Sequence, residues 1–161
     1  MDKSLCTEKP VKLFARAEKL IGHVIVIVTS EDYQEDDELF KGLCLYATQA
    51  VEKLLKGFII YNNYKAGKMY NLDCLLETAK KINSSFSDIA NECLLLNGFT
   101  AEYHYYYSQP VTREESVQIT KALKRVSQFP PINAMRDLFS MMAGYNKTLE
   151  SKWNWREQNE R

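Results

Sequence analysis

Apolar residues recur at three- and four-residue intervals along nearly the whole chain, the period of an α-helix with one buried face. Thr7 with Pro10 reads as a helix start, because proline's missing N–H costs little in a first turn. Leu13, Phe14, Ala17, Leu20, Ile21, Val24, Ile25 and Val28 then form one stripe. The β-branched run Val24 to Val28 admits a strand, but the unbroken spacing from Leu13 predicts helix. Glu31, Asp32, Glu35, Asp36, Asp37 and Glu38 form an acidic connection. It reads as a solvated loop whose last carboxylates favour the positive end of the next helix, with a cation site as the alternative.

A second helix is predicted from about Glu38 to Tyr61, with Phe40, Leu43, Ala47, Ala50, Val51, Leu54, Leu55, Phe58 and Ile59 on its stripe. Asn62 to Gly67 reads as a polar loop. Asn71 caps a third helix carrying Leu72, Leu75, Leu76, Ala79 and Ile82. Asn83 to Ser85 breaks it, and Ser87 caps a fourth, which carries Ile89, Cys93, Leu96, Thr100, Tyr103 and Tyr107 and ends at Pro110. Thr112 and Glu115 fit a capping box, in which each side chain bonds the other's free backbone N–H. A fifth helix holds Val117, Ile119, Ala122, Leu123 and Val126, and Pro130 and Pro131 stop it. A last helix follows, with Met135, Leu138, Phe139, Met142, Tyr145, Leu149 and Trp153 on a stripe. The expectation is an all-α, up-and-down bundle of five to six helices forming a single domain over residues 1–161.

Composition narrows the function classes. Lys+Arg and Asp+Glu both number 21, so the formal net charge is zero, which argues against a duplex-DNA binder. The longest apolar run, Leu20 to Val28, falls short of the ~20 residues a membrane span needs. No secretory leader opens the chain, so a cytoplasmic location is expected and the sequons at Asn83 and Asn146 carry no meaning. Cys6, Cys44, Cys74 and Cys93 contain no C-x-x-C pair and have only His23 and His104 to join, so free thiols are expected and no metal site. No phosphate loop, glycine-rich dinucleotide loop or G-x-S-x-G elbow occurs, and no cofactor is expected.

Two clusters carry candidate chemistry. Gln49, Glu52, Lys53 and Lys56 occupy adjoining rows of one helix face, with Glu52 and Lys56 in the favourable i,i+4 orientation. The face reads either as solvated, with a few tenths of a kcal/mol of helix support, or as a contact of Lys53 and Lys56 with a phosphate or acidic ligand. In the run Tyr103-His104-Tyr105-Tyr106-Tyr107, four tyrosines around a helix cannot all face one core. Their rings either edge the core or stack bases.

The stretch Cys44-Leu-Tyr-Ala-Thr-Gln-Ala-Val-Glu-Lys-Leu-Leu-Lys56 closely resembles the Q-A-x-E-K-x-x-K helix of the HEPN family, the higher eukaryotes and prokaryotes nucleotide-binding domain. Tyr70-Asn71-Leu72 stands where the family has His-Asp-Leu, and Glu102-Tyr103-His104 stands where it has Arg-Tyr-Pro. The resemblance covers roughly Leu13 to Val126; residues 7–128 then form the HEPN-like bundle and 132–155 an additional C-terminal helix.

The resemblance implies a four- or five-helix bundle, commonly a homodimer. It also implies nucleotide binding, a minimal nucleotidyltransferase as partner within a toxin–antitoxin pair, or metal-independent ribonuclease activity. The ribonuclease branch uses an Arg and a His, separated by four to six residues, that project from one helix into the dimer cleft; here His104 has no Arg in the preceding seven positions, and acidic Glu102 stands where the family has its Arg. The expectation is therefore a non-catalytic, homodimeric module binding a nucleotide or a protein partner. Lys53 and Lys56 would supply charge to phosphate, Gln49 a hydrogen bond, and Tyr103 or Tyr105 a stacking face. The alternatives are an RNA-cleaving toxin with a displaced site, His104 with Arg113 or Arg136, and a pure protein-interaction bundle in which the last helix is the distinguishing part.

Overall fold

The computed structural model describes residues 8–34, 36–66, 71–99 and 111–148. Among them it shows α-helices and short 3-10 turns and no strand. The helices are α1 (Pro10–Thr29), α2 (Asp37–Tyr61), α3 (Leu72–Ile82), α4 (Ala90–Asn97), α5 (Arg113–Gln128) and α6 (Pro130–Ala143). The β-branched end of α1 is helical: Val24, Ile25 and Val28 stay buried on the stripe while Val26 points outward. Burying one continuous face outweighs the small χ1 penalty of β-branched residues in a helix.

Helix α2 is the centre of the bundle, and α1, α3, α4, α5 and α6 all pack against it. Its buried rows wrap more than half its circumference, from Phe40, Leu43 and Cys44 to Phe58 and Ile59. Helix α1 packs tightly on α2 at Gly57, where an added Cβ would lie 2.6 Å from the Phe14 ring.

The helix ends follow local chemistry in most places. Asp36 accepts the Glu38 N–H at α2, and Asn71 accepts the Asp73 N–H at α3. The Thr112–Glu115 capping box is formed in both directions at α5. Asn97 at the end of α4 accepts the Leu72 N–H at 2.9 Å and so pins the start of α3.

Elsewhere the observed boundaries correct the predicted ones. Ser87 does not cap α4: it lies inside a 3-10 turn, Ser84–Ile89, which Asn83 caps, and α4 begins at Ala90 without a side-chain cap. Helix α4 ends at Asn97, and the predicted extension through Thr100, Tyr103 and Tyr107 falls outside the described residues. Pro130 and Pro131 do end α5, but they also occupy the first turn of α6, where their fixed φ suits helix initiation. The last helix is shorter than predicted. It stops at Ala143 because Gly144 turns left-handed, φ 72°, and closes it with a hydrogen bond from its N–H to the Ser140 carbonyl. The acidic connection is solvated at Glu31, Asp32, Asp36 and Asp37, as expected, yet Tyr33 within it is fully buried. The Tyr33 hydroxyl shares a 2.8 Å hydrogen bond with Ser116 Oγ and so fastens the connection to α5.

Candidate functional site

The polar face of α2 is arranged differently from a row of solvated charges. Lys56 is buried, and its Nζ meets Glu52 Oε1 at 2.7 Å, with the two side chains 9% and 14% exposed. The position is surrounded because α2 is packed on nearly every side; the pair neutralises the charge that burial would otherwise penalise. Gln49 and Lys53 are half-buried on the adjoining rows. The structure therefore keeps Gln49 and Lys53 toward the surface and turns Lys56 inward. Tyr103 and Tyr105, and His104 between them, lie outside the described residues.

Tyr46, Gln49 and Lys53 follow one another at i, i+3 and i+7, so they line one side of α2. Toward the start of α2 that side opens into a groove of about 380 Å³ against α1, lined by His23, Val26, Ile27, Glu38, Leu39, Gly42 and Tyr46. The His23 ring meets Tyr46 edge-on at 5.2 Å between centroids. Arg16, seven residues before His23, is turned to Glu8 at 2.7 Å.

The arginines of the displaced ribonuclease arrangement are engaged elsewhere. Arg113 lies over the Tyr33 ring, 5.8 Å from its centroid. Arg136 is 1% exposed and forks onto both carboxylate oxygens of Glu18, itself 4% exposed. Arg136 also donates to the Ser127 carbonyl at 3.0 Å, and Glu18 accepts the Thr148 N–H at 2.9 Å. Tyr145 stands beside this pair: burial and the Glu18 carboxylate push its phenol up to about 12 against the opposing pull of Arg136. The buried pair was not predicted. Its signal was a carboxylate on the apolar stripe of α1, between Phe14 and Ile21, with one arginine on the stripe of α6.

Two further titratable groups of the interior are thiols. Burial, with Glu115 adding to it, raises Cys44 to about 12; burial, with Glu92 and Asp73, raises Cys93 to about 12. Neither is a nucleophile near neutrality. Among the described residues no group of His, Cys, Asp and Glu could hold a metal ion. No described helix is long and apolar enough to cross a membrane.

A central helix with a Q-A-V-E-K-x-x-K face, packed against by the other described helices, defines an all-α helical domain. The family model of the HEPN domain matches residues 28–131, from the end of α1 through α5 to the first residues of α6, and the chain belongs to that family. No curated protein matches the chain, and no solved structure does.

Proposed function

We propose that the chain is a non-catalytic HEPN module that forms a homodimer and works by binding a protein partner, a minimal nucleotidyltransferase being the kind the family suggests. The observation that carries this reading is where the cations go. Lys56 is neutralised by Glu52 and Arg136 by Glu18, both within the fold, so neither guanidinium nor ammonium is presented to a phosphodiester there. What the surface offers instead, beside Gln49 and Lys53, is an apolar groove between two helices. The dimer is supported by family membership alone.

Incubating the purified chain with single-stranded RNA in the presence of chelator tests the reading. Intact RNA is expected; cleavage that vanishes in His104→Ala would replace the proposal with the ribonuclease. A second reading, nucleotide binding, is favoured by Gln49 and Lys53 lying half-exposed on one side of α2. A nucleotide at a hundred times its dissociation constant would raise the melting temperature by roughly 5–11 °C. A rise lost in Lys53→Ala would assign the site to nucleotide.

A further inference from the structure

The groove between α1 and the first half of α2 has two properties that together specify an occupant. Its walls are apolar: Val26, 67% exposed, with Ile27, Leu39 and the ring of Tyr46. Gly42 in its floor would meet nothing within 4 Å if it carried a Cβ, so there is room above the backbone. Its open end is acidic. The connection that joins the two helices holds Glu31, Asp32 and Asp36 in solvent, and Asp37 and Glu38 continue the series on the first turn of α2. Two cations stand near this end: Lys41, 3.6 Å from Glu38 in a pair at the surface that a competing cation displaces at little cost, and Arg113, held over the Tyr33 ring of the connection.

We infer that this groove docks a basic amphipathic helix of a protein partner, its apolar side chains against Val26, Ile27, Leu39 and Tyr46 and its Lys or Arg residues against Glu31, Asp32, Asp36, Asp37 and Glu38. The inference rests on the partner-binding reading above and adds the chemistry of the partner. Sign of charge decides among occupants. A nucleic acid or an anionic membrane would meet five exposed carboxylates and be repelled. A second copy laid on the groove about a two-fold axis would bring the same five carboxylates to the contact again rather than a basic face to meet them, since an isologous contact uses one patch on both subunits. An amphipathic cationic helix gains at both places: anchors at i, i+3, i+4 and i+7 fill the groove, and the rim attracts the polar face.

The test uses the full chain and labelled peptides of about 14 residues, roughly four helical turns. One is amphipathic with Leu and Lys, one has Glu in place of every Lys, and one keeps the Leu/Lys composition with the pattern scrambled. Fluorescence anisotropy should show binding of the first peptide alone. Val26→Asp should weaken it about tenfold or more, as loss of a groove anchor does. The double reversal Asp37→Lys/Glu38→Lys should weaken it too and turn the preference toward the Glu peptide. Leu94→Asp, on the exposed face of α4, should leave it unchanged. Each variant sits at an exposed position, and an unaltered urea midpoint confirms its fold. Equal binding by Val26→Asp, equal binding of the Glu or scrambled peptide, or no binding at all overturns the inference. So does a homodimer that Val26→Asp converts to monomer in a light-scattering mass measurement, which would assign the groove to a second copy. RNA cleavage by the chain would overturn the module reading while leaving the peptide titration to judge the groove by itself.

Discussion

Removing one member of the Glu18–Arg136 pair should be among the most damaging single changes available to this protein. Both groups are sealed from water, and between them they satisfy one another, the Ser127 carbonyl and the Thr148 N–H. Arg136→Met leaves a carboxylate buried with one backbone N–H; Glu18→Leu leaves a guanidinium with one carbonyl. Breaking a buried pair by removing one partner costs about 3–5 kcal/mol, because the remaining charge stays desolvated. For a domain of this size that lowers the melting temperature by roughly 6–20 °C. The double variant Glu18→Leu/Arg136→Met removes both charges and keeps an apolar contact between α1 and α6, so it should recover most of the loss. Urea denaturation of the parent, both single variants and the double variant yields the four corners of a cycle. Single variants within about 1 kcal/mol of the parent, or a double variant that merely adds the two losses, would refute the reasoning.

Gly57→Ala should cost about 1–3 kcal/mol, because its Cβ would lie only 2.6 Å from the Phe14 ring where α1 and α2 meet, although alanine is intrinsically the better helix former; a urea midpoint at or above that of the parent would remove the close approach as the reason for glycine there. Stability should also fall above pH 9. Cys44 and Cys93 remain protonated in the fold up to about 12 but ionise near 9.0 once unfolded, so their contribution is complete below pH 9 and disappears as pH rises toward 12. At pH 10 the loss is on the order of 1 kcal/mol for each thiol, and thermal melts of the parent and Cys44→Ala/Cys93→Ala between pH 8 and 10 should diverge, the parent falling more steeply.

The features legible in the sequence are those decided within a few residues. Asn71, the Thr112–Glu115 box and the helical phase of Leu13 to Val28 each depend on neighbours three or four positions away. The end of the last helix was misread because the apolar spacing continues through Tyr145, Leu149 and Trp153, and periodicity does not register the left-handed Gly144. Ser87 was an acceptable cap by type, but Asn83 claimed the earlier start and a 3-10 turn absorbed the serine. Lys56 looked like a surface lysine because its face is polar; its burial follows from the crowding around α2, which only the assembled helices define. Tyr33 was hidden for a similar reason, since its partner Ser116 stands 83 residues on.

The partner of Glu18 lies 118 residues downstream. On a ribosome adding about 5–20 residues per second, the carboxylate waits roughly 6 to 24 s before Arg136 exists to receive it. During that interval α1 cannot take its final place without enclosing an uncompensated charge. Vectorial synthesis therefore gives this protein a built-in order: the first helix emerges first and is sealed last, when the sixth arrives to neutralise it.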